Sequence, residues 1–289
     1  MRKFIILIPL YNDWKSASKL FDEIDKQVIN WEADVRVIII NDASTEKRSD
    51  LSLNFKKIKS IKILNMKENK VHQRCIAAGL KYICENEDFD RVIIMDADGE
   101  DRPEEVNDFY KKSLENPNMT ITGNRFKRSE TIMFKFLYEI HKLLTLIFTG
   151  KLIKFGNFTC LTKEHAHKLV QKSYLWNSYS SSVIRAIKDR TSIPSIRGVR
   201  YVQPSKMNFP ALVFHSLAII SVLRREFIIR SITFFLVYLF FIFNNISVIT
   251  LTPIFFFLLF VFTVLKISTR ADKIGFEKSL DNIGSIDVL

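Results

Sequence analysis

The chain has 289 residues, 47% hydrophobic and 12% aromatic, enough apolar material for a large core and too much for an intrinsically disordered protein. Its formal net charge of +12 is unevenly placed: residues 1–120 hold 20 basic and 22 acidic side chains of the 43 and 31 in the whole chain, leaving 23 basic and 9 acidic beyond them. The basic half is also the more apolar one, so a membrane face explains the charge better than a nucleic-acid surface, and lipid or nucleotide phosphates are the expected partners.

Up to about residue 122, short β-branched runs alternate with amphipathic helical stretches, the pattern of a parallel sheet covered by helices. Strands are expected at residues 4–8, 35–40, 61–64 and 92–95, with a weaker one at 119–122. Pro9, Tyr11, Asn12 and Asp13 end the first run after five residues, whereas a secretory signal needs roughly seven to fifteen. Three scattered cysteines, Cys75, Cys84 and Cys160, form no disulfide framework, and a reducing cytosol is expected. Residues 131–149 read as an apolar helix interrupted by Lys135, Glu139, His141 and Lys142, either a core helix or one lying in the headgroup region; 209–225 is similar. Residues 228–266 hold only Arg230 and the closing Lys266 as charges, length enough for two spans hinged at Asn244-Asn245, at 228–243 and 246–265. Basic residues flank both ends, which places both ends in the cytoplasm. The expected organisation is a catalytic domain over 1–225, a transmembrane hairpin over 226–267 and a cytoplasmic tail over 268–289.

In open α/β sheets ligands bind beyond the carboxyl ends of the strands, so the residues after each run carry the candidate chemistry. After the fourth run, Asp96, Asp98 and Glu100 alternate and can turn toward one point; such hard oxygen ligands suit Mg²⁺ or Mn²⁺ shared with a substrate's phosphates. Asp101, before Pro103, Glu104 and Glu105, also fits a helix start. Tyr11 offers a ring for stacking on a base, and Asp42 an acceptor for a base N–H, although Asx-turns account for Asp42 and Asn12 equally well. Neither G-x-G-x-x-G nor a P-loop occurs, and the five histidines are scattered and read as structural.

Taken together, these strand-end residues resemble the glycosyltransferase family 2 catalytic domain of GT-A fold, and in particular its polyprenyl-phosphate branch, typified by dolichol-phosphate mannosyltransferase and bactoprenol glucosyltransferase. Residues 9–13 are similar to P-x-Y-N-E, 41–45 to D-D-x-S, and 96–104 to D-A-D-L-Q-D-P-P-E. Gly123-Asn124-Arg125 is similar to G-x-R, Phe155-Gly156-Asn157-Phe158 to G-D-F, and residues 200–206 to R-x-x-G-x-S-K. The departures are Asp13 for Glu, Asn41 for the first Asp, Glu100 for Gln, Asn157 for Asp and Gln203 for Gly. No Q-x-x-R-W occurs, unlike the processive synthases.

The resemblance implies a Rossmann-like, mostly parallel sheet with helices on both faces, interfacial helices and a C-terminal transmembrane hairpin. It implies a metal-dependent, inverting transfer of a sugar from a UDP- or GDP-linked donor to polyprenyl phosphate at the inner membrane, with Mg²⁺ or Mn²⁺ and no nucleic acid. By the same resemblance Pro9, Tyr11, Asp13, Asp42, Asp96 and Ala97 bind the nucleotide sugar, and Asp96, Asp98 and Glu100 bind the metal. Asp98, Arg125, Arg200 and Lys206 are the catalytic candidates, while Arg128, Lys135, Arg200, Ser205 and Lys206 take the acceptor phosphate. A different envelope glycan or glycolipid acceptor, or an inactive membrane adaptor, are the alternatives. Sugar, acceptor lipid and oligomeric state are not encoded by any motif.

Overall fold

The computed structural model describes residues 1–48, 55–127, 132–202, 209–270 and 272–289, without the side chains of 127, 132–136 and 138. Its first part runs β1 (Arg2–Leu10), α1 (Trp14–Val28), β2 (Ala33–Asn41), β3 (Ile58–Met66), α2 (His72–Asn86), β4 (Arg91–Ile94), α3 (Glu104–Glu115) and β5 (Thr120–Lys127). Each expected strand falls on one of these. The chain continues through α4 (Ile132–Thr149), β6 (Thr159–Thr162), α5 (Lys163–Val170), α6 (Tyr179–Ala186), β7 (Arg190–Ile196) and α7 (Phe209–Val222), then α8 (Arg224–Ile242), α9 (Val248–Ser268), α10 (Lys273–Glu277) and β8 (Ile283–Val288).

The eight strands form one sheet in the order β7-β5-β6-β4-β1-β2-β3-β8. β1 pairs in parallel with β2 and β4, β2 with β3, and β5 with β7, whereas β6 and β8 run antiparallel to their neighbours. Alternate side chains of β1 explain why helices cover both faces. Ile5 and Leu7 enter a core shared with α2, α5 and α6, while Phe4, Ile6 and Ile8 enter one shared with α1 and α3.

β6, β7 and β8 were not expected from the pattern. β6 has four residues, β7 contains Pro194, and β8 begins Ile-Gly-Ser, so none offers a β-branched run. β8 also corrects the expected tail: residues within 268–289 return to the sheet and cover the edge of β3, with Lys62 opposite Val288 and Leu64 opposite Ile286. A bare parallel edge is thereby closed by main-chain pairing, which leaves little trace in side-chain pattern.

The apolar helices lie beside this body. α4 is not a core helix: Leu143, Leu144, Leu146 and Ile147 are exposed, while Phe148 packs on Phe227 and Phe260 of α8 and α9 at ring distances of 5.8 and 4.9 Å. α9 is long and apolar enough to cross a membrane by length and composition, and only 6% of its most apolar window is buried. α8 falls short of that length and composition, because Arg224, Arg225, Glu226 and Arg230 leave Ser231 to Ile242 as its longest uncharged run. The two helices are consecutive, joined by residues 243–247, and the expected pair of spans therefore rests on one qualifying helix.

Gly79 lets α2 lie close to the sheet. A Cβ there would stand 2.6 Å from Leu7 Cδ1 and 2.9 Å from Ile40 Cγ1, distances that force the strands or the helix to move. Gly79→Ala is predicted to lower unfolding stability by about 1–3 kcal/mol, because overpacking outweighs the helix propensity gained. Chemical denaturation of the two proteins checks this; an equal or higher midpoint for the variant would show that α2 has room to shift.

Candidate active site

The backbone is strained where the strands end. Asn12, Ala43 and Val71 have φ of 49°, 53° and 74°, and Gly99 has 84°. Asn12 follows β1, and its side chain accepts from the Thr45 and Glu46 amides at 2.8 and 3.0 Å, locking the loop after β1 to the loop after β2. Asp42 performs the same service on the other side: its carboxylate accepts from the Lys70 and Val71 amides at 2.7 and 3.0 Å. It is 3% exposed, and in this structure its carboxylate braces the loop before α2. Asn41, the departure on β2, donates to Asn65 Oδ1 at 2.9 Å.

Beyond β4, the six residues 96–101 carry four carboxylates, and each has a cation or donor from a distant segment. Asp96 Oδ1 lies 3.1 Å from His72 Nε2 and 3.2 Å from the Asn157 amide nitrogen. Asp98 Oδ2 pairs with Arg200 Nη1 at 2.6 Å, and the same guanidinium reaches Asp13 Oδ2 at 3.5 Å. Glu100 pairs with Arg197. Asp101 accepts from the Asp96 amide at 3.0 Å and from Arg125 Nη2 at 3.3 Å. Residues 198–201 are strapped to the turn by Gly198 N–H to Glu100 O and Tyr201 N–H to Asp98 O, both 2.9 Å, which aims Arg200 at Asp98. Tyr201 also covers Gly99, where a Cβ would meet its ring at 2.6 Å.

Crowding of like charge is visible in the acidities. Burial, then Asp96 and Glu100, push Asp98 up to about 6 against the pull of Arg200. Burial, then Asp96, push Asp101 up to about 7. Burial also opposes the charged form of Asp96, but His72, Arg125 and Asn157 outweigh it and hold this carboxyl below the usual range.

These groups open on one cleft of about 1010 Å³. Pro9, Tyr11, Asp13, Asp96, Ala97, Asp98, Glu100, Arg125 and Arg200 all line it. Arg128, Ser205 and Lys206 lie outside the described residues, as does the side chain of Lys135. The expected convergence of Asp96, Asp98 and Glu100 is not present: among the described residues no three His, Cys, Asp or Glu side chains are grouped to hold a metal ion, and Glu100 is turned toward Arg197. Asp96 and Asp98 remain on the cleft wall, a donor set that suits an Mg²⁺-like ion taking its other ligands from water and phosphate.

The histidines require a correction. His165, 2.8 Å from Thr120 Oγ1, and His167, stacked on Phe89, are structural as expected, but His72, His141 and His215 line the cleft. They come from α2, α4 and α7, so no local spacing announces them. The cleft is also walled by Leu137 and His141 of α4, Phe214 and Ile219 of α7, and Ile267 of α9, with Phe155 and Trp176. One space is thus shared by the strand-end carboxylates and by apolar side chains of the helices.

Fold and site together define a class of α/β protein whose cleft lies at the carboxyl ends of a mostly parallel sheet. The family model for glycosyl transferase family 2 matches residues 5–178, and the chain belongs to that family. An uncharacterised glycosyltransferase of Synechocystis is 26% identical over 132 residues, 45% of this chain and 40% of that protein, so the match spans less than half of the relative. Glucosyl-3-phosphoglycerate synthase of Mycobacterium tuberculosis, solved with Mn²⁺, UDP-glucose and phosphoglyceric acid, superposes with a TM-score of 0.54 at 14% identity, covering 78% of this chain and 79% of that one. The same enzyme with Mg²⁺ and UDP gives 0.54 at 13% identity over equal shares. At such identity these structures show the GT-A-like fold.

Asn157 Nδ2 lies 2.8 Å from His72 Nε2. Asn157→Asp is therefore predicted to give His72 a second carboxylate and raise its pKa by about 1 unit or more. Proton titration of the His72 ring by NMR, assigned with His72→Gln, checks this; an unchanged midpoint would contradict the contact.

Proposed function

We propose that this protein transfers a sugar from a nucleotide-sugar donor to polyprenyl phosphate at a membrane surface. The observation that carries the proposal is that one cleft is lined both by strand-end carboxylates and by residues of the apolar helices α4, α7 and α9. A donor and an amphiphilic acceptor can meet inside it without either leaving its preferred surroundings.

In this reading Pro9, Tyr11, Asp13 and Ala97 receive the base and ribose. Asp96 and Asp98 would hold a divalent ion, as the Mn²⁺ and Mg²⁺ complexes of the Mycobacterium tuberculosis enzyme suggest. When bound, such an ion neutralises charge that develops on the departing nucleoside diphosphate. Arg125 and Arg200 stand ready for the same phosphates, Arg200 exchanging its hold on Asp98 for a substrate oxygen. An acceptor phosphate oxygen attacks the anomeric carbon, the bond to the diphosphate breaks with its electron pair leaving on the nucleotide, and the centre inverts. A phosphate whose second pKa is near 6 is mostly dianionic at neutral pH, so no general base is required. Arg128, Lys135, Ser205 and Lys206 are proposed to steady that phosphate.

α9 anchors the protein in the inner membrane with α8 beside it. The chain leaves the sheet body after α7 and rejoins it at β8, which supports a topology with both ends of the α8–α9 pair on the catalytic side, proposed to be the cytoplasmic one. The catalytic body is then residues 1–225 together with β8.

Membranes holding the protein, supplied with radiolabelled UDP- and GDP-sugars, polyprenyl phosphate and Mn²⁺, are predicted to form chloroform-soluble labelled product. Chelation should abolish it, and Asp98→Asn should lower it on the order of 10²–10³-fold while membrane association is unchanged. Full activity of Asp98→Asn would remove the metal assignment. Label appearing only on a hydroxyl acceptor would replace the lipid phosphate, and donor binding without any product would mark an inactive adaptor.

A further inference from the structure

Among the described residues, six Lys and Arg side chains line the cleft: Lys70, Arg74, Arg125, Arg197, Arg200 and Arg270. Four have carboxylate partners, Lys70 with Glu68 at 2.6 Å, Arg125 with Asp101, Arg197 with Glu100 and Arg200 with Asp98. Arg74 and Arg270 form no ion pair among the described residues. Each instead lies over an aromatic ring that also lines the cleft, Arg74 over Trp176 at 5.1 Å and Arg270 over Phe214 at 4.9 Å. Arg74 belongs to the first turn of α2, and Arg270 follows the end of α9 by two residues, so two elements distant in sequence bring two guanidinium groups to one cavity.

The two charges feel each other. Burial lowers the pKa of Arg74, Arg270 lowers it further, and Asp272 opposes them weakly. Two uncompensated guanidinium groups beside apolar walls repel unless an anion joins them, and planar guanidinium forks match phosphate oxygens.

We propose that Arg74 and Arg270 form a phosphate-binding site in the cleft, separate from the centre at Asp98 and Arg200. Its ligand is a phosphate group, lipid-borne or free. The Trp176 and Phe214 rings keep the guanidinium planes in place, and Ile219 and Ile267 give an attached alkyl chain an apolar bed. The site goes beyond the transfer reaction, since binding there needs neither donor nor metal.

Calorimetric titration of the full chain in a neutral detergent, with dodecyl phosphate in one arm and inorganic phosphate in the other, tests the site directly. Saturable binding is expected, weakened at least tenfold in Arg74→Gln and in Arg270→Gln. Arg270 is exposed, so its variant should keep the thermal midpoint of the parent and leave the result readable even if Arg74→Gln folds poorly. Tighter binding of dodecyl phosphate than of inorganic phosphate would assign the site to a lipid-borne phosphate, and equal binding to a free one. Equal affinity in parent and Arg270→Gln, or no saturable binding of either probe by the parent, would overturn the proposal. Sugar-transfer activity plays no part in this readout, so its outcome stands whether or not the acceptor is a polyprenyl phosphate.

Discussion

The repulsion among Asp96, Asp98, Glu100 and Asp101, packed into the turn after β4, is the constraint around which this molecule is arranged. Buried carboxylates this close cannot all ionise without cations beside them. The cations come from everywhere else: His72 from the start of α2, Arg125 from β5, Arg197 and Arg200 from the strap after β7. Each neutralising contact therefore ties a separate part of the chain to one turn, and the cleft is the space those parts enclose. Where neutralisation is incomplete, Asp98 and Asp101 hold their protons up to about 6 and about 7, and a ligand bringing positive charge is favoured there.

Asn157 illustrates how local chemistry follows from that constraint. A carboxylate at this position would add another negative group 3.2 Å from Asp96, whereas the amide donates to Asp96 and accepts from Gln73 at 3.1 Å. A departure from the family pattern is thus accommodated by hydrogen bonding within the same cluster. The departure at Asn41 is likewise paired, with Asn65, and leaves no orphaned group.

The parallel core was legible because β1 and β4 are buried on both faces and read as apolar runs, and residues 35–40 of β2 as one broken only by Arg36; β1 alone contributes seven consecutive buried residues. Asp96 and Asp98 were legible for the same reason, as polar residues hard against such a run. What the pattern hid depends on contacts between distant segments. β8 is held by main-chain pairing to β3, Asp42 turned out to support residues 70–71, and the cleft histidines and the Arg74–Arg270 pair are assembled from helices that share no spacing. Residues 228–266 look uniformly apolar as a string, yet the helix boundaries put Arg224, Arg225 and Arg230 inside α8 and leave α9, among the described residues, as the one helix that meets the length and composition of a span.

The central claim is that donor and lipid acceptor share one cleft running from Asp98 to the faces of α7 and α9. Photocrosslinking with a polyprenyl phosphate that carries a diazirine close to its phosphate, mapped by peptide mass spectrometry on the full chain in a bilayer, tests it most directly. Labels on Phe214, His215, Ile219 or Ile267, diminished by excess unlabelled polyprenyl phosphate, are the predicted result. Labels confined to the outward rings of Phe240, Phe241 and Phe255, with none inside the cleft, would contradict it.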